Sequence, residues 1–127
     1  ASTGAAKALT RIFPHLSKNL GGCGMRVPVP DGSLTDITSI VRNPISTVEI
    51  NEAFRQASEH RWKGIVEYTE DPIVSSDVIG NTHSCWVDGG LTSVIGNMVK
   101  VVGWYDNEVG YSNRLCDVLN LWAHENV

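Results

Sequence analysis

No apolar run in the chain approaches the roughly 20 residues that a membrane-spanning helix needs, so no membrane segment is expected. Basic residues are few and scattered: 10 Lys and Arg stand against 14 Asp and Glu, a formal charge of -4. Binding nucleic acid without sequence preference requires a Lys/Arg patch to neutralise phosphates, and the absence of one sets that class aside. Cysteine is scarce, with three residues, no C-x-x-C and no further ligands at zinc spacing. An odd count argues against a disulfide framework and fits reduced thiols of a cytoplasmic protein. A G-x-G-x-x-G turn after a strand is also missing, so no dinucleotide-binding half is expected in this chain. The first residue is not Met and the opening residues read as a helix start; since natural termini tend to be loose ends, the expectation is a piece of a longer protein.

What is present suffices for one packed domain. The chain has 127 residues, 42% hydrophobic and 19% charged, which places it outside the disordered class. Ala5, Leu9, Ile12, Phe13 and Leu16 recur at helical spacing, with Thr3 as N-cap and Pro14 as terminator, giving a short helix over 4–13. Ser46-x-x-Glu49 is a capping box, flanked by Ile45 and Ile50 as a hydrophobic staple, and Ile50, Ala53, Phe54 and Ala57 continue as one stripe, giving a helix over 47–59. Leu115, Val118, Leu119 and Trp122 mark one face of a last helix. About six strands are expected, over 25–29, 34–42, 63–69, 73–79 (bent), 84–87 paired with 91–95 through an Asp88-Gly89-Gly90 hairpin, and 98–105. Short turns between strands and single-striped helices imply a two-layer α+β domain, a largely antiparallel (mixed) sheet with helices covering one face.

The organising stretch is 99–112. Its first half is β-branched and aromatic; its second half turns at Asp106-Asn107, both good N-caps, into a helix. An Asn at such a corner offers one acceptor and two donors to a planar polar ligand, or serves only as a cap. Gly4 at a helix start permits close approach of an anion to free backbone N–H groups, though most such starts are plain caps. Arg26, between Met25 and Val27, must pair with an anion or stand exposed; a salt bridge to Asp31, Asp36 or another acid is the ordinary outcome. His83 and Cys85 read as structural residues and no metal ligand set is proposed.

Four ordered segments carry a resemblance: Ser2-Thr-Gly-Ala-Ala-Lys7, Arg26-Val-Pro-Val-Pro30, Gly64-Ile-Val-Glu-Tyr-Thr-Glu70 and Trp104-Tyr-Asp-Asn-Glu-Val-Gly-Tyr111. Together they resemble the C-terminal part of the catalytic domain of phosphorylating glyceraldehyde-3-phosphate dehydrogenase, over the whole chain, 1–127. The resemblance implies an enzyme that, when complete, oxidises glyceraldehyde 3-phosphate with NAD and inorganic phosphate to 1,3-bisphosphoglycerate, as a cytoplasmic homotetramer. It implies that Thr3, Gly4 and Arg26 bind phosphate, that Asn107 binds the nicotinamide carboxamide, and that Tyr111 lies beside it, with Tyr105 nearby. The family's S-C-T-T-N nucleophile segment and its base His match nothing here, so no catalytic residue is assigned and the isolated chain is expected to be inactive. Val109 departs from the larger residue common in the signature. Two other readings remain: a free-standing protein-binding or self-associating module, and a piece of the related erythrose-4-phosphate dehydrogenase.

Overall fold

The computed structural model describes residues 4–125. Its elements are α1 (Ala5–Ile12), a 3-10 turn (Pro14–Leu16), β1 (Ser33–Ile40), α2 (Thr47–Glu59), β2 (Val66–Thr69), a second 3-10 turn (Ser75–Val78), β3 (Cys85–Ile95), β4 (Met98–Tyr105) and α3 (Val109–Glu125). The strands form one mixed sheet in the order β1-β4-β3-β2, antiparallel except for the parallel β2–β3 pair. α2 lies on β2 and β3, so the two-layer α+β class holds.

Local chemistry explains the helices. The capping box forms as expected: Glu49 N donates to Ser46 Oγ at 3.2 Å, and Ser46 N donates to the Glu49 carboxylate at 2.9 Å. Ile50 is buried at the start of the α2 stripe; Phe54 and Ala57 are half-buried, and Ala53 faces solvent. α1 stops at Ile12, just before the backbone constraint that Pro14 places on Phe13.

Three strand expectations are corrected. Residues 25–29 are not a strand: Pro28 and Pro30 remove two ladder donors, and Val29 N instead bonds locally to Val27 O at 2.9 Å. The segment 73–79 contains a 3-10 turn, because the Asp77 carboxylate accepts from Val74 N at 2.7 Å and folds the polar Ser75-Ser76-Asp77 group back on itself. Its apolar end is used nonetheless, since Val78 is fully buried. Asp88-Gly89-Gly90 does not reverse the chain. β3 continues through it with a register shift, from Asp88↔Val102 to Ser93↔Lys100, so four residues of β3, 89–92, are accommodated against one of β4. Buried Asp88 organises the bulge, accepting from Leu91 N at 3.2 Å and from Trp104 Nε1 at 3.0 Å. Gly89 is required there because a Cβ would overlap the Tyr68 hydroxyl and ring.

The core is small: Ile50, Val78, Val87, Val99 and Val102. Large apolar residues remain outside it. Ile40, Met98 and Ile95 lie side by side across β1, β4 and β3, and Ile40 and Ile95 are about 70% exposed. The α3 stripe of Leu115, Val118, Leu119 and Trp122 is also exposed.

Candidate functional site: the corner between β4 and α3

Asp106 ends β4 and is itself buried. One carboxylate oxygen accepts from Glu108 N at 2.8 Å and Val109 N at 2.7 Å, which caps α3. The other accepts from Gly80 N at 2.8 Å, tying the corner to the loop after the second 3-10 turn. These N–H groups, Val109 first, then Gly80 and Glu108, hold the Asp106 carboxyl below its ordinary range against the opposing effect of burial. Of the two candidate caps, Asp106 takes the role, and this leaves the Asn107 side chain for other use.

Asn107 is exposed and its Oδ1 accepts from the Ser33 hydroxyl at the start of β1. The two meet because Ser33 pairs with Tyr105, two residues before Asn107, at the last rung of the β1–β4 ladder. The turn leading into β1 is also fixed. Gly32 has φ 85°, donates to the Asp31 carboxylate at 2.6 Å, and sits so close to Ser75 that a Cβ would lie 2.5 Å from its carbonyl oxygen. Tyr111, in the first turn of α3, is 69% exposed and follows Asn107 by one helical turn.

The remaining expected residues are spread out. Thr3 lies outside the described residues. Gly4 is the exposed N-cap position of α1, with no side-chain cap. Arg26 is exposed and makes no hydrogen bond or ion pair with a described residue. The two acids named for it have other partners: Asp36 binds Lys100 at 2.7 Å, and Asp31 accepts from Gly32 N at 2.6 Å. Two concavities among the described residues, one of about 500 Å3 around Lys63, Glu67 and His83 and one of about 160 Å3 around Asn51 and Tyr68, are lined by none of Gly4, Arg26 and Asn107.

Other reactive groups have structural explanations. His83 bonds Asn81 Oδ1 at 2.9 Å and approaches the Glu67 carboxylate at 3.3 Å. Burial pushes the Cys85 thiol up, which keeps it neutral. Carboxylate oxygens of Asp31, Asp106 and Glu108 come within 4.8 Å of one another, but those of Asp106 already accept three backbone N–H groups.

The family model described as "Glyceraldehyde 3-phosphate dehydrogenase, C-terminal domain" matches residues 1–107, up to and including this corner. The chain belongs to that family. Glyceraldehyde-3-phosphate dehydrogenase of Mycobacterium avium is 53% identical over 120 residues, 94% of this chain and 35% of the relative. The Mycobacterium tuberculosis (H37Rv) protein of the same name is 52% identical over the same shares, and glyceraldehyde-3-phosphate dehydrogenase 2 of Streptomyces arenae is 49% identical, covering 36% of the relative. The chain therefore spans about a third of the length of the curated relatives it matches. Within this glyceraldehyde 3-phosphate dehydrogenase C-terminal domain, the segment 104–107 of the signature forms the end of β4 and the corner itself.

Sequence reasoning missed Ser33 and Gly80. Ser33 stands 74 residues away from its partner Asn107, and no local pattern reports such a pairing. Gly80 enters through its backbone N–H, which carries no side-chain signal at all.

Proposed function

We propose that this chain is the C-terminal portion, 1–127, of the catalytic domain of a phosphorylating glyceraldehyde-3-phosphate dehydrogenase, with the dinucleotide-binding domain elsewhere in the complete polypeptide. The complete enzyme oxidises glyceraldehyde 3-phosphate, with NAD and inorganic phosphate, to 1,3-bisphosphoglycerate in the cytoplasm, as a homotetramer. One observation carries the reading furthest: Asn107, the Asn of the family-like W-Y-D-N signature, stands exposed on a corner fixed by Asp106, with its amide nitrogen making no hydrogen bond to a described residue. That donor suits a carboxamide, so the residues present fit the nicotinamide end of NAD. Asn107 and Tyr111 would hold that end, and NAD when bound supplies the hydride acceptor. Thr3, Gly4 and Arg26 bind phosphate groups; the exposed guanidinium of Arg26, with no partner among the described residues, suits a dianion.

The test is made on the complete enzyme and on this chain alone. Arg26→Ala in the complete enzyme is expected to raise KM for a phosphate-bearing reactant by about tenfold or more, the scale of one lost charge-assisted contact. The isolated chain is expected to reduce no NAD with substrate and phosphate. Unchanged kinetics in Arg26→Ala, or turnover by a preparation whose intact mass shows only these residues, would overturn the assignment.

A second reading is favoured by a specific observation. The row Ile40, Met98 and Ile95, and Leu115, Val118 and Leu119 on α3, each leave apolar side chains exposed, so the chain by itself also reads as a self-associating module.

A further inference from the structure

Resting on the proposed role of Asn107 at the carboxamide, we propose that Ser33 is a positioning residue that sets the polarity of this contact. By donating its hydroxyl proton to Asn107 Oδ1, Ser33 turns the amide nitrogen outward, so that Asn107 offers N–H to the carbonyl oxygen of the carboxamide rather than accepting from its NH2.

An Asn side chain is chemically two-faced. Its oxygen only accepts and its nitrogen only donates, and free rotation about the last bond presents either one. A hydroxyl beside it can donate to Oδ1 or accept from Nδ2, and in this structure Ser33 donates to Oδ1. Both sides of this pair are framed. Asp106, buried and holding three backbone N–H groups, leaves little freedom to the backbone that carries Asn107. Ser33 sits on the first rung of β1 opposite Tyr105, directly after Gly32, whose positive φ and close approach to Ser75 fix the entry to the strand. With Oδ1 engaged by Ser33, the group with no partner among the described residues is Nδ2, and Asn107 is exposed where it points. No other side chain makes a hydrogen bond to Asn107 among the described residues, so the orientation rests on Ser33.

The experiment measures equilibrium binding to the complete enzyme, by calorimetry, of NAD and of its 3-acetylpyridine analogue, which keeps the carbonyl and lacks the NH2. Ser33→Ala is expected to weaken both dinucleotides by about two- to tenfold, as one net hydrogen bond allows, with Ser33→Thr restoring both. Asn107→Asp, which still accepts from Ser33 but cannot donate, is expected to bind NAD as poorly as Asn107→Ala. If Asn107→Ala weakens NAD but Ser33→Ala leaves both affinities unchanged, the positioning role is refuted while the Asn107 reading stands. If Asn107→Asp retains NAD affinity, or Ser33→Ala weakens NAD alone, the polarity is the reverse of the one proposed. If Asn107→Ala itself binds NAD normally, the underlying functional reading fails with it.

Discussion

Asp106 is where stability and site geometry meet, and replacing it has a magnitude that can be worked from its contacts. Asp106→Ala removes the acceptor of Glu108 N and Val109 N, a cap loss worth about 0.5–2 kcal/mol. It also removes the acceptor of Gly80 N, a bond to a charged group worth about 1.5–3 kcal/mol. The sum is about 2–5 kcal/mol, a large share of the stability of an ordinary domain. Asp106→Asn separates the two parts. Its amide oxygen can still cap α3, but its NH2 then faces the Gly80 N–H, donor against donor, so only the second loss is expected, about 1.5–3 kcal/mol. Urea unfolding followed by tryptophan fluorescence is the assay, because Trp104 lies on β4 two residues before the substitution. The slope with denaturant must stay constant for the midpoints to be read as stability. An Asp106→Ala protein within 0.5 kcal/mol of the parent would refute the reasoning, and equal losses in the Ala and Asn variants would show that the cap contributes nothing.

The same carboxylate predicts a pH dependence. Its folded pKa lies below the ordinary aspartate value of 3.8, so its contribution is complete above that value and is lost as pH falls through the lower folded one. The stability gap between the parent and Asp106→Asn should therefore narrow in acid below pH 3.8, and a gap that stays constant or widens contradicts the assignment. Light scattering tests the self-associating reading: the chain alone should show an apparent mass that rises with concentration above that of the monomer, and a monomer at high concentration removes it.

How much of this was legible in the sequence depended on the range of the interaction. Helix α2 was legible to the residue because its signal is local: Ser46, Glu49 and the following stripe lie within a few turns, and each contact closes over three or four positions. β4 and the corner were legible for the same reason, since Asp106 caps its own helix. The Gly89-Gly90 pair was misread because glycine permits a tight turn and a close approach equally well; what decided between them was Tyr68, about twenty residues earlier and on the neighbouring strand β2. The polar run at 75–77 looked like a bend in a strand, but an Asp three residues after a free backbone N–H folds into a 3-10 turn once Val78 is drawn into the core. At the site, Asn107 was named from its motif, whereas Ser33, which orients it, could be found only once β1 was known to pair with β4.

The most instructive misjudgement is the stripe on α3. Leu115, Val118, Leu119 and Trp122 have the spacing of a buried face, yet Trp122 is 66% exposed and Leu119 64%. Periodicity reports that a helix face is made to lie against an apolar surface; it does not report that the surface belongs to the same stretch of chain. The helix is nevertheless held at its beginning: Asp106 caps it, and Arg114 bonds Asp117 at 2.7 Å and the Gly64 carbonyl at 3.2 Å, which fastens the second turn to the entry of β2. Rigidity is thus concentrated at the end of α3 nearest Asn107 and Tyr111, while Leu115, Val118 and Leu119 further along the helix stay exposed.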